Sequence, residues 1–418
     1  MKKIVLSLTG VLAATAFAPE ASAIPAFARQ TGMACNACHA QHFPVLNSFG
    51  RAFKASGFTL MGAQGRVEGE HLSIPDTLNA AVLMKIRYQK TSGSDAAGTI
   101  SGSGTNSGQW QFPDEFSLFL GGRVADSETL KIGMMMENNL TATTGLASGL
   151  RVPVVYDLGA AKLSVVPYTT DSLGAFYGYT ESSNALNRAI RWAENRTQVF
   201  AHQYSGIGNG ATTGLAFVAH SDIGYINVSR FAPSFASAVQ MSSTAVHAAF
   251  TPSIGDWASI FSVEYLTGES YLTATAAGKR ATKGWGLSAQ AHGAIAEMET
   301  GLYAAYSVGK KSDAGGVVNQ FNSSTTNDKK AGQVGLEVTV VPHALHVGAN
   351  YLAGKNGKGE TENYITLTGA YDVAQNVALV ANYSMGSGSA FDAGGASDSS
   401  VLGASGKNLL TLMLEGAW

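Results

Sequence analysis

The chain has 418 residues, of which only 13% are charged, and it carries 49 glycines but 10 prolines. Its formal net charge of -2 shows no basic excess, so we expect no nucleic-acid partner. Beyond residue 23 no apolar run reaches about 18 residues, which excludes a helical membrane protein. This composition is typical of a large β-protein rich in turns.

The N-terminus has the residue order of a secretory signal peptide. Lys2-Lys3 precedes an apolar run from Ile4 to Phe17, and Ala21-Ser22-Ala23 supplies small residues for cleavage. A membrane anchor is the alternative, but this run is shorter than the roughly 20 residues of a spanning helix. We therefore predict that residues 1–23 are removed and that the mature chain begins near Ile24.

The next segment contains Cys35-Asn36-Ala37-Cys38-His39, which has the spacing of c-type haem attachment. In such a site the thiols of Cys35 and Cys38 add to the vinyl groups of one haem c, and His39 binds the iron as proximal ligand. A thioredoxin-like pair would need a βαβ context, and zinc would need two further good ligands. The sequence predicts a small α-helical cytochrome c segment over residues 24–72 with one covalent haem.

A short helix is predicted directly after this motif. The apolar residues that recur there at helical spacing are Leu46, Phe49 and Phe53. Pro44 suits a first turn and Gly57 an end, so we expect this helix to cover the porphyrin. Arg51 and Lys54 either neutralise the haem propionates or face water.

The motif does not specify the distal iron ligand. Candidates within reach are Met33, Met61, His42 and His71. His42 lies too close to His39 to reach across the ring. We predict Met61, because the chain can turn back over the distal face after the helix, and a thioether ligand raises the reduction potential.

Residues 77–418 show alternation of apolar and polar side chains in segments separated by Gly, Ser, Asn and Asp. A soluble β-sandwich alternates too, but several features favour a transmembrane barrel with outer-membrane lipid around it. Leu410, Leu412 and Leu414 share a register with the terminal Trp418, which resembles the assembly signal of outer-membrane barrels. Tyrosines that end apolar faces, as in an aromatic girdle, are Tyr265, Tyr306, Tyr351, Tyr371 and Tyr383.

Connection lengths complete the prediction of an all-β, antiparallel barrel of about sixteen strands. Short and long connections alternate, as periplasmic turns and outer loops do, which puts both barrel ends in the periplasm. The predicted strands are 77–90, 114–124, 128–138, 150–157, 160–168, 211–218, 222–229, 243–250, 257–267, 284–294, 299–308, 333–341, 346–353, 363–371, 376–386 and 408–418. An extra hairpin within 169–210 would give eighteen, but a folded outer loop, with a short helix over residues 184–195, is preferred. The cytochrome segment then enters from the periplasm as a plug of the lumen.

The segments Ile24-Pro25-Ala26-Phe27-Ala28-Arg29-Gln30-Thr31-Gly32, Phe43-Pro44-Val45-Leu46 and Phe49-Gly50-Arg51-Ala52-Phe53-Lys54 flank the haem motif. Over residues 24–62 the chain resembles the fused monohaem cytochrome-porin family of iron-oxidising bacteria. The resemblance implies an outer-membrane oxidoreductase that oxidises Fe(II) at the cell surface and passes electrons to a periplasmic c-type cytochrome or similar carrier.

Two other functions remain open from the sequence. One is a diffusion porin in which the haem segment is a plug or sensor, and the other is a conduit that carries electrons outward. The site of iron contact is not specified, because carboxylates are scattered over the outer loops and each is more simply a solvated charge. Examples of these carboxylates are Asp313, Asp328, Glu360, Glu362, Asp392 and Asp398.

Overall fold

The computed structural model describes residues 25–41, 43–62, 64–92, 108–139, 148–183, 192–236, 238–272, 278–391 and 407–418. The predicted signal peptide and most of the helix expected over residues 184–195 lie outside these ranges. No helix among the described residues is long and apolar enough to cross a membrane.

The N-terminal segment is helical, as predicted. Helix α1 spans Ala26–Thr31, a 3-10 turn spans Cys35–Ala37, and helix α2 spans Ser48–Ala55. Asn47 caps α2 by accepting a hydrogen bond from the Gly50 amide at 2.9 Å, so the prediction that Pro44 lies in its first turn is wrong. Gly57 ends the helical region with φ of 73°, in the left-handed conformation that glycine tolerates best.

Within the described residues, sixteen antiparallel strands close into one barrel, which confirms the predicted architecture. The strands are β1 (Ala80–Thr91), β2 (Gln109–Asp126), β3 (Leu130–Asn139), β4 (Gly149–Arg151 continued by Val154–Asp157), β5 (Ala161–Thr170), β6 (Thr212–Ser221), β7 (Gly224–Ala232), β8 (Ser243–Phe250, extended by Ser253–Ile254), β9 (Trp257–Thr267), β10 (Gly284–Ile295), β11 (Met298–Gly309), β12 (Lys329–Val341), β13 (Leu345–Lys355), β14 (Thr361–Ala374), β15 (Val377–Ser387) and β16 (Asn408–Ala417). Strand β16 pairs with β1, so the barrel leaves no open edge to the lipid.

Two hairpins lie outside the barrel wall. One joins Arg66–Gly69 to Leu72–Pro75, so the connection between the cytochrome segment and the barrel continues past the predicted boundary at residue 72. The other joins Glu269–Tyr271 to Lys279–Ala281 in the connection after β9. Residues Pro75 to Ala80 then lead the chain directly into β1.

Turns and loops alternate around the barrel as the sequence predicts. At one end the strands are joined tightly, and the turn between β10 and β11 contains only Ala296 and Glu297, with φ of 48° and 65°. Two positive φ values are typical of the type I′ turn, whose twist matches that of a hairpin. The short-turn end is the periplasmic end by the rule for bacterial barrels.

The outer wall is apolar along the strands. Leu287, Leu336 and Leu367 are exposed on three different strands, while inward-facing neighbours are polar. Four predicted girdle tyrosines are exposed in the outer halves of their strands, namely Tyr265, Tyr306, Tyr351 and Tyr383. An exposed apolar belt with aromatic residues towards its edge is the surface that a lipid bilayer covers.

Residues 171–183 and 192–211 belong to the long loop predicted between the outer ends of β5 and β6, and no barrel strand lies among them. This infolded loop enters the barrel, which the sequence did not indicate. This loop contains helices α3 (Arg196–Val199) and α4 (Ala201–Ser205). Its contacts reach opposite walls: the Tyr179 carbonyl accepts from Asn227 on β7 at 2.8 Å, and Asn195 donates to Ser384 on β15 at 2.9 Å. The Ser183 amide donates to Gln290 on β10 at 2.9 Å, and Tyr204 donates to Glu362 on β14 at 2.9 Å. Polar side chains of the inner wall replace water as partners of the loop backbone.

Residues 25–41 and 43–62 form a plug in the periplasmic half of the lumen. Gln41 donates to the Glu299 carbonyl on β11 at 3.1 Å, and Gln30 accepts from the Arg123 amide on β2 at 3.0 Å. Gly133 of β3 packs so closely that an added Cβ would lie 1.8 Å from the Gly57 oxygen. The plug therefore spans the lumen from β2 and β3 to β11.

Plug and infolded loop together cover much of the inner wall. Inward-facing polar residues that are fully buried are Glu264, Glu337, Glu362, Thr366, Ser384 and Thr411. In an open pore such side chains would be in contact with water. The lumen at their level is filled with protein.

Candidate functional site

A cavity lies between the plug and the infolded loop, against strands β1 to β4. It contains about 2050 Å³ of space that protein atoms do not fill, including a part open to solvent. Cys35, Cys38 and His39 all line it, so the structure brings the three motif residues to one site. The cavity runs from Phe27 in the plug to Asn139 and Ser148, which lie at the outer ends of β3 and β4.

The haem motif is shaped by a tight turn packed against α2. The amides of Cys38 and His39 donate to the Cys35 carbonyl at 3.1 and 3.0 Å. Gly50 of α2 lies so close that an added Cβ would be 2.0 Å from the Cys38 carbonyl oxygen. The two cysteines form no disulfide. Burial raises the pKa of the Cys38 thiol, and the negative charge of the Cys35 thiolate raises it further.

His39 is held by the plug backbone. Its Nδ1 lies 3.3 Å from the Val45 carbonyl oxygen, and donation to that oxygen stabilises the tautomer that binds a metal through Nε2. The Phe43 ring packs edge-on against the imidazole with centroids 5.5 Å apart. This arrangement matches the predicted role of His39 as proximal ligand.

Aromatic rings form the apolar side of the cavity. Phe27 contacts Phe53 and Phe58, with ring centroids 5.3 and 4.9 Å apart, and all three line the cavity. Leu46 lines it as well, but Phe49 is 41% exposed and does not line the cavity, so the structure gives no support to the prediction that Phe49 covers the porphyrin. A flat, apolar macrocycle fits a pocket lined by such rings.

Cationic side chains line the same cavity, and the Arg151 guanidinium lies 5.8 Å from the centre of the Phe58 ring. Lys54 and Arg151 line it, and the Arg151 guanidinium lies 4.7 Å from the centre of the Tyr177 ring. Burial, reinforced by Arg151, lowers the pKa of Lys54 to about 7, whereas Glu181 raises it. Apolar walls, thiols, an imidazole and cationic side chains fit a haem c, whose propionates Lys54 and Arg151 would neutralise.

The structure does not bring Met61 to this cavity. Of the residues with a thioether, Met33 of the plug and Met135 of β3 are the ones that line it. The Met135 sulfur accepts a hydrogen bond from Arg151 at 2.9 Å. This placement gives no support to Met61 as distal ligand, and the sequence alternative Met33 lies at the site.

Sequence reasoning missed a buried polar group centred on Glu181, which lines the cavity. Arg51 is buried rather than exposed to water, and its Nε lies 3.6 Å from the carboxylate of Glu181 in the infolded loop. Glu181 also accepts from Tyr179 at 2.7 Å and lies 2.9 Å from His220. These hydrogen bonds, with Arg51, lower the pKa of Glu181 although burial alone would raise it. No local pattern links these residues, because they meet only when the loop enters the barrel.

The carboxylates considered as iron contacts have other partners. Asp313 pairs with Lys283 at 2.6 Å, Asp328 pairs with Lys310 at 2.9 Å, and Glu362 is buried in the lumen. Asp392 and Asp398 lie outside the described residues. In the described part of the chain, no group of three or more His, Cys, Asp or Glu could hold a metal ion.

Comparison with known proteins identifies the fold. No protein-family model and no curated protein matches the chain. Among solved structures, a mutant of Rh. blastica porin matches with a TM-score of 0.50 and 9% identity, covering 82% of this chain and 100% of that chain. The outer membrane channel DcaP of Acinetobacter baumannii matches with a TM-score of 0.47 and 15% identity, covering 82% and 97%. OmpT, an outer membrane protein of Vibrio cholerae, matches with 0.46 and 11%, covering 82% and 99%.

These likenesses are too distant to show more than the fold. With its closed sixteen-strand barrel and apolar belt, the chain is a bacterial outer-membrane protein of porin-like architecture.

Proposed function

We propose that this outer-membrane barrel oxidises Fe(II) at the cell surface and passes the electrons to a periplasmic c-type cytochrome or similar carrier. The observation that carries the proposal is the meeting of Cys35, Cys38 and His39 at one cavity inside the barrel. When bound there, haem c would supply a one-electron redox centre. The resemblance of residues 24–62 to cytochrome-porins supports iron as the substrate.

The reaction needs no acid, base or nucleophile from the chain. Each Fe(II) gives up one electron and leaves as Fe(III), and one periplasmic carrier is reduced by that electron. The chain's own residues bind and orient: Cys35 and Cys38 fix the cofactor, His39 is held by Val45, and the barrel separates the substrate side from the carrier side. Oxidation outside the periplasm keeps insoluble ferric oxide out of the cell.

A diffusion porin is the second candidate, and the fold comparisons favour it. One solved structure of similar fold is a porin, but at 9% identity the likeness concerns architecture alone. The filled lumen opposes free diffusion, because Glu337, Glu362 and Thr411 are covered by the plug and loop. An outward electron conduit uses the same parts and differs only in the potential of the haem.

Anaerobic addition of Fe(II) to the purified, haem-loaded protein tests the proposal. We expect Fe(II) to convert the ferric spectrum to the ferrous one, with dithionite as the positive control and C35A/C38A as the variant that lacks covalent haem. Reduction by dithionite but not by Fe(II) would refute iron oxidation. Porin-like conductance in a planar bilayer would then support the diffusion-porin function. A haem reduction potential below that of the Fe(III)/Fe(II) couple would favour outward electron transfer.

A further inference from the structure

Two carboxylates, Glu137 and Asp171, line the outer end of the cavity, further out than Arg151. On β3, Glu137 lies one inward-facing position further out than Met135; on β4, Gly149 lies further out than Arg151. The sheet register confirms these two rows, since Glu137 pairs with Gly149 and Met135 pairs with Arg151. The deeper row contains Arg151, to which a role beside the haem propionates is already assigned. The carboxylate of Glu137 in the outer row has no role in that assignment.

A second carboxylate joins the outer row from the next strand. Gly149 pairs with Thr170, the last residue of β5, and Asp171 follows it. The Asp171 amide donates to the Ser148 carbonyl at 2.8 Å, which fixes this residue beside the start of β4. Glu137 and Asp171 both line the cavity.

Tyr177 of the infolded loop fills the place that Gly149 leaves without a side chain. Its hydroxyl oxygen lies 2.8 Å from the position of a Cβ on Gly149. The side chain is only 2% exposed, lines the cavity, and its hydroxyl makes no hydrogen bond with any residue that the structure describes. An unsatisfied buried hydroxyl between two carboxylates indicates a polar ligand at this point.

The electrostatics of Tyr177 agree with this placement. Burial raises the pKa of Tyr177 to about 12, Arg151 lowers it, and Glu137 and Asp171 raise it further. Both carboxylates therefore act on the same hydroxyl. A neutral phenol at this position can accept a hydrogen bond from the water shell of a cation.

We propose that Glu137, Asp171 and the Tyr177 hydroxyl form a docking site for a hydrated divalent cation at the outer end of the cavity. Oxygen ligands suit hard cations, and two carboxylates without histidine or thiolate bind them weakly. Weak binding suits a substrate that must leave after reaction. The assignment of Fe(II) as the cation that uses this site rests on the proposed function, whereas binding itself does not.

Titration of the detergent-solubilised full chain with Mn(II), followed by the EPR signal of free Mn(II), tests the site without redox chemistry. We expect one site in the unmodified protein, weakened at least about tenfold in E137Q/D171N and weakened further by added salt. Asp313→Asn is the matched control, since it removes an outer-loop carboxylate far from β3, and should leave the affinity unchanged. Tyr177→Phe should weaken binding by a few fold while retaining the fold.

Other outcomes would overturn the site. The site is refuted if E137Q/D171N and the unmodified protein bind Mn(II) with equal affinity, or if the unmodified protein does not bind Mn(II). It is also refuted if Asp313→Asn loses as much Mn(II) affinity as E137Q/D171N. If Fe(II) still reduces the haem at an unchanged rate in E137Q/D171N, the assignment of Fe(II) to this site fails while the proposed function stands. If Mn(II) binds as expected but Fe(II) never reduces the haem, the proposed function fails and the cation site stands.

Discussion

Replacement of Gln30 by alanine should loosen the plug, because this side chain joins two plug carbonyls to the barrel wall. Gln30 is fully buried and donates to the carbonyls of Phe58 and Leu60 at 2.7 and 2.8 Å. It also accepts from the Arg123 amide of β2 at 3.0 Å. A fourth, longer hydrogen bond comes from the Asn79 side chain at 3.3 Å. Counting only the three shorter hydrogen bonds at about 1 kcal/mol net each, Gln30→Ala should lower the free energy of local plug opening by about 3 kcal/mol.

Amide hydrogen exchange measures this loss directly. A change of about 3 kcal/mol corresponds to roughly a hundredfold loss of protection in peptides covering residues 25–62, while the strands keep theirs. Gln240→Ala, at an exposed position between β7 and β8, is the matched control and should leave protection unchanged. Loss of less than about threefold in Gln30→Ala would refute the reasoning, because the three hydrogen bonds would then contribute almost nothing.

Two further predictions concern the haem cavity. In the haem-free C35A/C38A chain, the stability of the plug should rise from about pH 7 towards pH 10.5. Burial lowers the pKa of Lys54 from 10.5 to about 7 in the folded plug. Between these two pH values the unfolded plug binds one more proton than the folded plug, so raising the pH favours the folded state. Lys54→Met should abolish the rise, measured as exchange protection against pH; a flat profile before mutation would contradict the burial of a neutral lysine. Met61→Ala should leave the visible spectrum of the haem unchanged, since Met61 does not line the cavity. A change from low-spin to high-spin in that variant would instead support the sequence prediction.

The barrel wall could be predicted from the sequence because its information is local. The predicted strand 257–267 coincides with β9, where alternation and flanking turn residues act together. Pairing between neighbours in the chain then follows from short turns such as Ala296-Glu297. The number of strands and the alternation of turns and loops needed nothing from distant residues.

The contents of the lumen could not be predicted in the same way. Asn195 donates to Ser384 across 189 positions of sequence, and Ser183 reaches Gln290 across 107. Polar residues such as these are ordinary in outer loops, so their composition does not distinguish a solvated loop from an infolded one. Arg51 shows the same limit: only the arrival of Glu181 makes its burial favourable.

The contacts of Gln41 have a consequence for the order of assembly. This residue precedes every barrel strand, yet it binds Glu299 of β11 and Thr339 of β12, which lie 258 and 298 positions later in the chain. Closing so long a stretch of chain carries a loop-closure cost, and these contacts cannot exist before β11 and β12 are in place. The final seating of the plug therefore depends on strands from the second half of the barrel.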